Sequence, residues 1–184
     1  MAFEVVGNFL SPADYRETEG NAYCGTSNAM ILMAQSVPAA TSLPCVASLP
    51  AGWEQGGMRI ERGRGIFWLD SDRAGTDAIT VTLLPRGACS VSDASEVPSD
   101  VPGMRRFERP EQLPPELRAT RTYVFPGGCV TYRFEFDSPE TASLLFDADS
   151  ALSFQPRKDL VAKVHDRNGL SLCGAGAPPC SGDT

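Results

Sequence analysis

Tyr23-Cys24-Gly25-Thr26-Ser27-Asn28 places a cysteine just ahead of an apolar run, Met30-Ile31-Leu32-Met33. A thiol at a helix N-terminus loses its proton more readily, because the helix dipole stabilises the thiolate. Cys24 is therefore a candidate nucleophile, and His165, the one histidine of the chain, its candidate general base. Carboxylates offer a second chemistry. Asp70-Ser71-Asp72 with Asp77, and Asp147 with Asp149, are paired acids that could serve a glycosidase or a metal. A calcium-loop frame from Asp70 puts Gly75 at its sixth position, but Val81 at the twelfth, where a bidentate glutamate is required. These aspartates read more plainly as turn residues that bond the local backbone. Trp53, Trp68 and Tyr132 are candidates for a sugar or lipid groove, and Arg105, Arg106 and Arg109 for gripping an anionic partner. Core packing and a solvated loop are the plainer readings. No G-x-S-x-G elbow, H-E-x-x-H or P-loop occurs.

Cys24-Gly25 before an apolar helix resembles the nucleophile segment of papain-like and bacteriocin-processing cysteine peptidases. That resemblance implies a Cys24/His165 pair. It covers about ten residues, and the family carries its histidine on a strand, whereas His165 stands in a segment of helical pattern. Cys24 also has a convenient partner in Cys45.

Six cysteines are present: Cys24, Cys45, Cys89, Cys129, Cys173 and Cys180. Six allow 15 pairings. Sequence order suggests Cys24–Cys45, Cys89–Cys129 and Cys173–Cys180. The absence of a C-x-x-C pair argues against redox and common zinc motifs. A site built on Cys173, Cys180 and His165 would lack a fourth ligand. Three structural disulfides in an oxidising compartment are expected, with no metal and no cofactor. That compartment requires an export signal, yet residues 1–10 lack a basic start and a long apolar run. No segment reaches the roughly 18 apolar residues of a membrane span. The expectation is a chain whose signal or anchor has been removed.

The elements that must position these residues are legible from periodicity. Residues 129–136 alternate, with Val130, Tyr132, Phe134 and Phe136 on one face and Thr131, Arg133 and Glu135 on the other. With 122–125 before the Pro126-Gly127-Gly128 turn and 141–146 after Asp137-Ser138-Pro139-Glu140, the segment predicts a three-strand meander. A fainter version lies upstream, with strands at 58–61, 66–69 and 79–84. Leu49-Pro50 matches Leu113-Pro114, and Asp70-Ser71 matches Asp137-Ser138 after a three-residue shift. These matches suggest half-repeats at 49–84 and 113–146. Residues 86–111, with Pro98, Pro102 and Pro110 within them and Pro85 just before, read as a long loop between the copies.

Ser27 or Thr26 can cap a helix over 28–36. Its four consecutive apolar residues demand burial on more than one side. Residues 157–168 predict a second helix, with Leu160, Val161 and Val164 on one face and Asn168-Gly169 as its stop. Residues 1–20 read as an exposed lead or stalk, with a strand at 3–6. Residues 21–184 read as one disulfide-stapled domain. The expected fold is α+β: an antiparallel β-sheet built from two related three-strand meanders, a buried N-terminal helix, a C-terminal helix packed on the sheet, and three disulfides.

A net charge of −7 opposes binding to nucleic acid or anionic lipid, so any anion site must be local. Val37-Pro38, Pro44-Cys45-Val46, Leu49-Pro50, Gly52-Trp53, 67–73 and Leu172-Cys173-Gly174-Ala175-Gly176 with Cys180 resemble a family of uncharacterised extracytoplasmic proteins of high-GC actinobacteria. The resemblance covers most of the chain. It implies an envelope protein, membrane-anchored, of unknown activity. The function expected is a non-enzymatic, envelope-tethered binding or accessory module for a protein or envelope component. The alternative is a hydrolase using Cys24 and His165, or a pair of aspartates.

Overall fold

Alternating apolar residues along strands and an unbroken apolar run in a helix both need a second layer to bury against. The computed structural model supplies one. It describes the backbone of Arg16 and Glu17 and all of residues 22–181. The strand expected at 3–6 and most of the 1–20 lead lie outside the described residues.

The strands are β1 (Arg16–Glu17), β2 (Ser42–Val46), β3 (Trp53–Glu61), β4 (Arg64–Ser71), β5 (Gly75–Pro85), β6 (Ser95–Val97), β7 (Arg105–Gln112), β8 (Leu117–Phe125), β9 (Gly128–Phe136) and β10 (Leu152–Pro156). Among the described residues the helices are α1 (Asn28–Ser36), α2 (Thr141–Ala151) and α3 (Arg157–Asn168), with a 3-10 turn at Arg86–Ala88. Eight strands form one antiparallel sheet in the order β1-β3-β4-β5-β9-β8-β7-β6, and β2 pairs with β10 in a separate ribbon. The fold is therefore α+β, as the periodicity implied.

One face of the large sheet is buried. Met58 and Ile60 of β3, Phe67 and Leu69 of β4, Ile79, Val81 and Leu83 of β5, and Val130, Phe134 and Phe136 of β9 are all at most 2% exposed. The helices and the β2–β10 ribbon cover this face. Ser27 accepts from the Met30 amide as the N-cap of α1, which buries Met30, Met33 and Ala34 completely. Leu160 and Val164 of α3 are likewise fully buried, and Gly169 ends that helix at φ +63°. The opposite face is largely polar, with Thr80, Thr82, Thr120 and Thr131 partly open to solvent, as antiparallel sheets allow.

All three disulfides join the cysteines in sequence order: Cys24–Cys45, Cys89–Cys129 and Cys173–Cys180, with no free cysteine among the described residues.

Three expectations need correction. Residues 141–146 are not a strand but the first half of α2. The buried positions Thr141, Leu144, Ala148 and Ala151 follow helical spacing, while Phe146 is 75% exposed, which a two-residue alternation would not give. The second three-strand meander is thus β7-β8-β9, and it meets β3-β4-β5 at the β5–β9 pair. Asp70-Ser71 then closes a second strand and Asp137-Ser138 a third, so the two motifs do not occupy equivalent places. Finally, much of 86–111 is strand: β6 and most of β7 lie within it. Pro110 is tolerated there because β6 pairs only with 106–108, which leaves the edge beside Pro110 open.

A candidate binding pocket on the buried face

The buried face changes character toward its far edge. Cross-strand partners share a face, so Tyr132 of β9 lies beside Arg121 of β8, which lies beside Glu108 of β7. In the next row Val130 is followed by Tyr123 and Arg106. At core parity β8 stays apolar at its ends, Leu117, Ala119 and Phe125, but places Arg121 and Tyr123 in its middle, and β7 continues those two rows with Glu108 and Arg106. Covering them are β10, the end of α2 and the loop carrying Asp100.

The polar groups form one network. The Tyr123 hydroxyl donates to Asp100 Oδ1 at 2.8 Å, and Arg106 Nη1 donates to the same oxygen at 3.2 Å. Arg106 Nε and Arg121 Nε both donate to Glu108 Oε1, at 3.1 and 3.0 Å. Arg121 also pairs with Asp149 of α2, and its guanidinium sits 5.3 Å from the centre of the Phe134 ring. Phe154 of β10 packs edge-on against Tyr123 at 5.2 Å and tilts over Tyr132 at 6.1 Å.

Between these groups lies a pocket of about 210 Å³. Asp100 and Pro102 form one wall and Asp149, Ser153 and Phe154 the other, with Arg121, Tyr123 and Tyr132 between. Tyr132 is 3% exposed, and its hydroxyl has no hydrogen-bond partner among the described residues. The phenol lies within electrostatic reach of Tyr123, Arg121, Asp100 and Asp149, all of which line the pocket.

Burial, reinforced by the bond to Asp100, pushes the Tyr123 phenol up to about 12. Burial pushes Tyr132 well above the ordinary tyrosine range. Burial opposes ionisation of Asp100 and Glu108, but hydrogen bonds outweigh it and hold both below the usual carboxylate range. The donors are Tyr123, the backbone and Arg106 for Asp100, and Arg106 and Arg121 for Glu108. At neutral pH the pocket thus presents neutral phenols between paired, opposite charges. Its phenols titrate far from neutrality, so the arrangement suits holding a ligand better than moving a proton.

Of the residues named from sequence, Tyr132 and Asp149 line the pocket and Arg106 stands behind it, through Asp100. Arg105 and Arg109 are on the opposite face of β7. Arg105 pairs with Glu96 at 2.7 Å and lies 4.9 Å from the Phe107 ring, and Arg109 pairs with Glu111. These arginines belong to a strand, not to the loop expected. Trp53 is buried beneath α2 and donates from Nε1 to Asp147 Oδ2 at 3.2 Å. Trp68 lies on the open face across Gly56 and Gly57, beside the bulge between Gln55 and Gly57. No common groove unites Trp53, Trp68 and Tyr132.

The hydrolase groups fare differently. The Cys24 sulfur is bonded to Cys45, so it carries no thiolate, and His165 is exposed on α3. Asp70 accepts from the Asp77 amide at 2.7 Å, as turn chemistry requires. Asp147 pairs with Arg73, and Asp149 with Arg121. Among the described residues no three His, Cys, Asp or Glu side chains gather as a metal site.

Asp100, Glu108, Arg121, Tyr123 and Phe154 were not singled out from sequence. The usable signal was polar residues at core parity, Arg121-x-Tyr123 and Arg106-x-Glu108. No family model, curated protein or solved structure matches the chain.

Proposed function

We propose that this chain is a non-enzymatic, extracytoplasmic binding module, tethered at the cell envelope, that holds a hydroxyl-rich envelope component in the Tyr132 pocket. Its three disulfides favour an oxidising compartment outside the cytoplasm. No helix among the described residues is long and apolar enough to cross a membrane, so the tether is part of the proposal.

The observation that carries the ligand class is the unpartnered Tyr132 hydroxyl in a pocket whose charges are ion-paired. A buried hydroxyl without a partner is costly, so it favours a ligand that completes it. Asp100 and Asp149 disfavour an anion, and Arg121 disfavours a cation. A neutral ligand that both donates to carboxylates and accepts from Arg121 and Tyr132 fits, with Phe154 against its apolar face. The pocket is smaller than the roughly 300–1,000 Å³ of drug-sized sites, so it suits one saccharide unit or a chain end.

Titration of methyl glycosides into the intact protein, followed by calorimetry, tests this. Tyr132→Phe removes one hydrogen bond and is expected to weaken the bound glycoside by about fivefold to tenfold. Glycoside binding insensitive to Tyr132→Phe, or no binding by any glycoside, would refute the assignment.

A further inference from the structure

A second cavity, of about 390 Å³, lies on the other side of Pro102. Its walls are mainly apolar, from Met104, Phe125, Pro126 and Pro156. Among the described residues, the only charged ones that line it are Arg157 and Lys158, with no aspartate or glutamate. In a chain with 23 acidic residues and a net charge of −7, such a cationic cavity is an exception.

Arg157 is 1% exposed. Its Nη1 donates to the Ala34 carbonyl and its Nη2 to the Cys173 carbonyl, while Nε has no partner among the described residues. Ala34 stands in the last turn of α1, where backbone carbonyls lack helical partners and no basic residue of the helix is present. Arg157 therefore clamps the end of α1 to the Cys173 loop. The clamp uses two dipoles and leaves the full charge unanswered, since among the described residues no carboxylate pairs with it. Burial alone pulls this guanidinium down to about 10. A buried cation normally has an anionic partner. Arg157 and Lys158 also open α3, a helix of 12 residues with no side-chain cap. The Arg157 amide donates to the Thr41 carbonyl at 2.9 Å, and Asp159 of the same turn is not among the residues that line the cavity, so the positive end of the dipole adds to the two side chains there.

We infer that this cavity binds the carboxylate end of a small apolar molecule. Lys158, the start of α3 and the field of Arg157 hold the charge, and Met104, Phe125 and the two prolines enclose the body. A single carboxylate fits better than a phosphate, because one exposed ammonium and one helix start are too few donors for a dianion. This site shares only Pro102 with the Tyr132 pocket and stands or falls separately from it.

The test compares benzoate and hexanoate with benzyl alcohol and hexanol on the intact, oxidised protein, read by amide chemical shifts. The carboxylates are expected to shift Gly103, Met104, Lys158 and Gly176, and to bind at least about tenfold more tightly than the alcohols. Lys158→Glu is expected to weaken carboxylate binding about tenfold or more, and Met104→Trp, which fills the cavity, to abolish binding. Lys163→Glu, an identical charge change on the exposed side of α3, is expected to leave it unchanged. Equal affinity for alcohols and acids would overturn the inference. So would equal losses in Lys158→Glu and Lys163→Glu, or the absence of any carboxylate-induced shift at these amides. Should Met104→Trp fail to fold, the two lysine variants decide.

Discussion

Tyr123 shows how one residue reports on its surroundings. Its hydroxyl donates to Asp100, and its ring is packed by Phe154 and Tyr132. Burial and that bond both favour the protonated phenol, so its folded pKa stands near 12, above the value of 10.0 for an unhindered tyrosine. The sign follows from linkage. The folded state holds this proton more tightly than the unfolded chain does. The stability this contributes is complete below pH 10 and is lost as pH rises through about 12. A spectrophotometric titration of phenolate is expected to show a late component near pH 12 that is absent in Tyr123→Phe. A component at pH 10 that disappears in the same variant would contradict the placement of Tyr123. Sequence alone could name Tyr132 through the alternation of β9. It could not name Tyr123 as its companion, because that pairing depends on the register of β8 against β9. The same holds for the arginines: Arg105 and Arg106 are neighbours in sequence but stand on opposite faces of β7.

At the scale of elements, close approach is decided by small residues. α1 sits directly on β4 at Gly65, where an added Cβ would lie 2.2 Å from Met33 Sδ and 2.9 Å from Ser36 Oγ. Gly65→Ala is therefore expected to destabilise the protein by about 1–3 kcal/mol through overpacking. Met33→Ala alone leaves a cavity at a fully buried site and is expected to cost about 2–5 kcal/mol. The double variant is expected to cost less than the sum, since truncating Met33 vacates the space that a methyl group added at Gly65 needs. Denaturant melts of the four proteins check this, and strict additivity would mean that the helix is not seated there. Gly127 shows a harder limit. Its φ is +80° and an added Cβ would lie 1.7 Å from the Ala39 carbonyl oxygen, which cannot move away as a side chain can. Elements with one clean period, α3, β5 and β9, were legible in the sequence, and so was α1, from an apolar run behind the Ser27 cap. α2 was not, because Thr141-Ala-Ser-Leu-Leu-Phe read as a strand partner for 129–136 until its later apolar positions, Ala148 and Ala151, are counted. β7 was hidden for another reason. Its buried-side residues, Arg106 and Glu108, neutralise each other instead of joining the apolar core, so the strand carries no hydrophobic alternation.

At the scale of the whole molecule, the disulfides divide the work of closing the chain. Cys89–Cys129 spans 40 residues and encloses β6, β7 and β8, the part of the sheet that carries the polar pocket. Cys173–Cys180 spans only 7 and pins the segment after α3. Loop-closure entropy assigns about 4 kcal/mol to the first and about 2.5 kcal/mol to the second. Replacing Cys89 and Cys129 by alanine is thus expected to lower the denaturation midpoint more than replacing Cys173 and Cys180. Equal or reversed losses would show that native-state strain or residual unfolded structure outweighs chain entropy. What the sequence determined by itself was local: the fold class, two of the helices described, and the core strands. Sequence order only suggested the cysteine pairing, which the structure bears out because neighbours in order are also neighbours in space. The tertiary structure alone decided which charged and phenolic groups meet. Sheet register and the placing of β10 and α2 over β8 bring together Asp100, Arg121, Tyr123, Tyr132 and Asp149 from separate stretches of the chain. The physical reason is that periodicity records which side of an element is buried, whereas a binding pocket depends on which buried sides face one another.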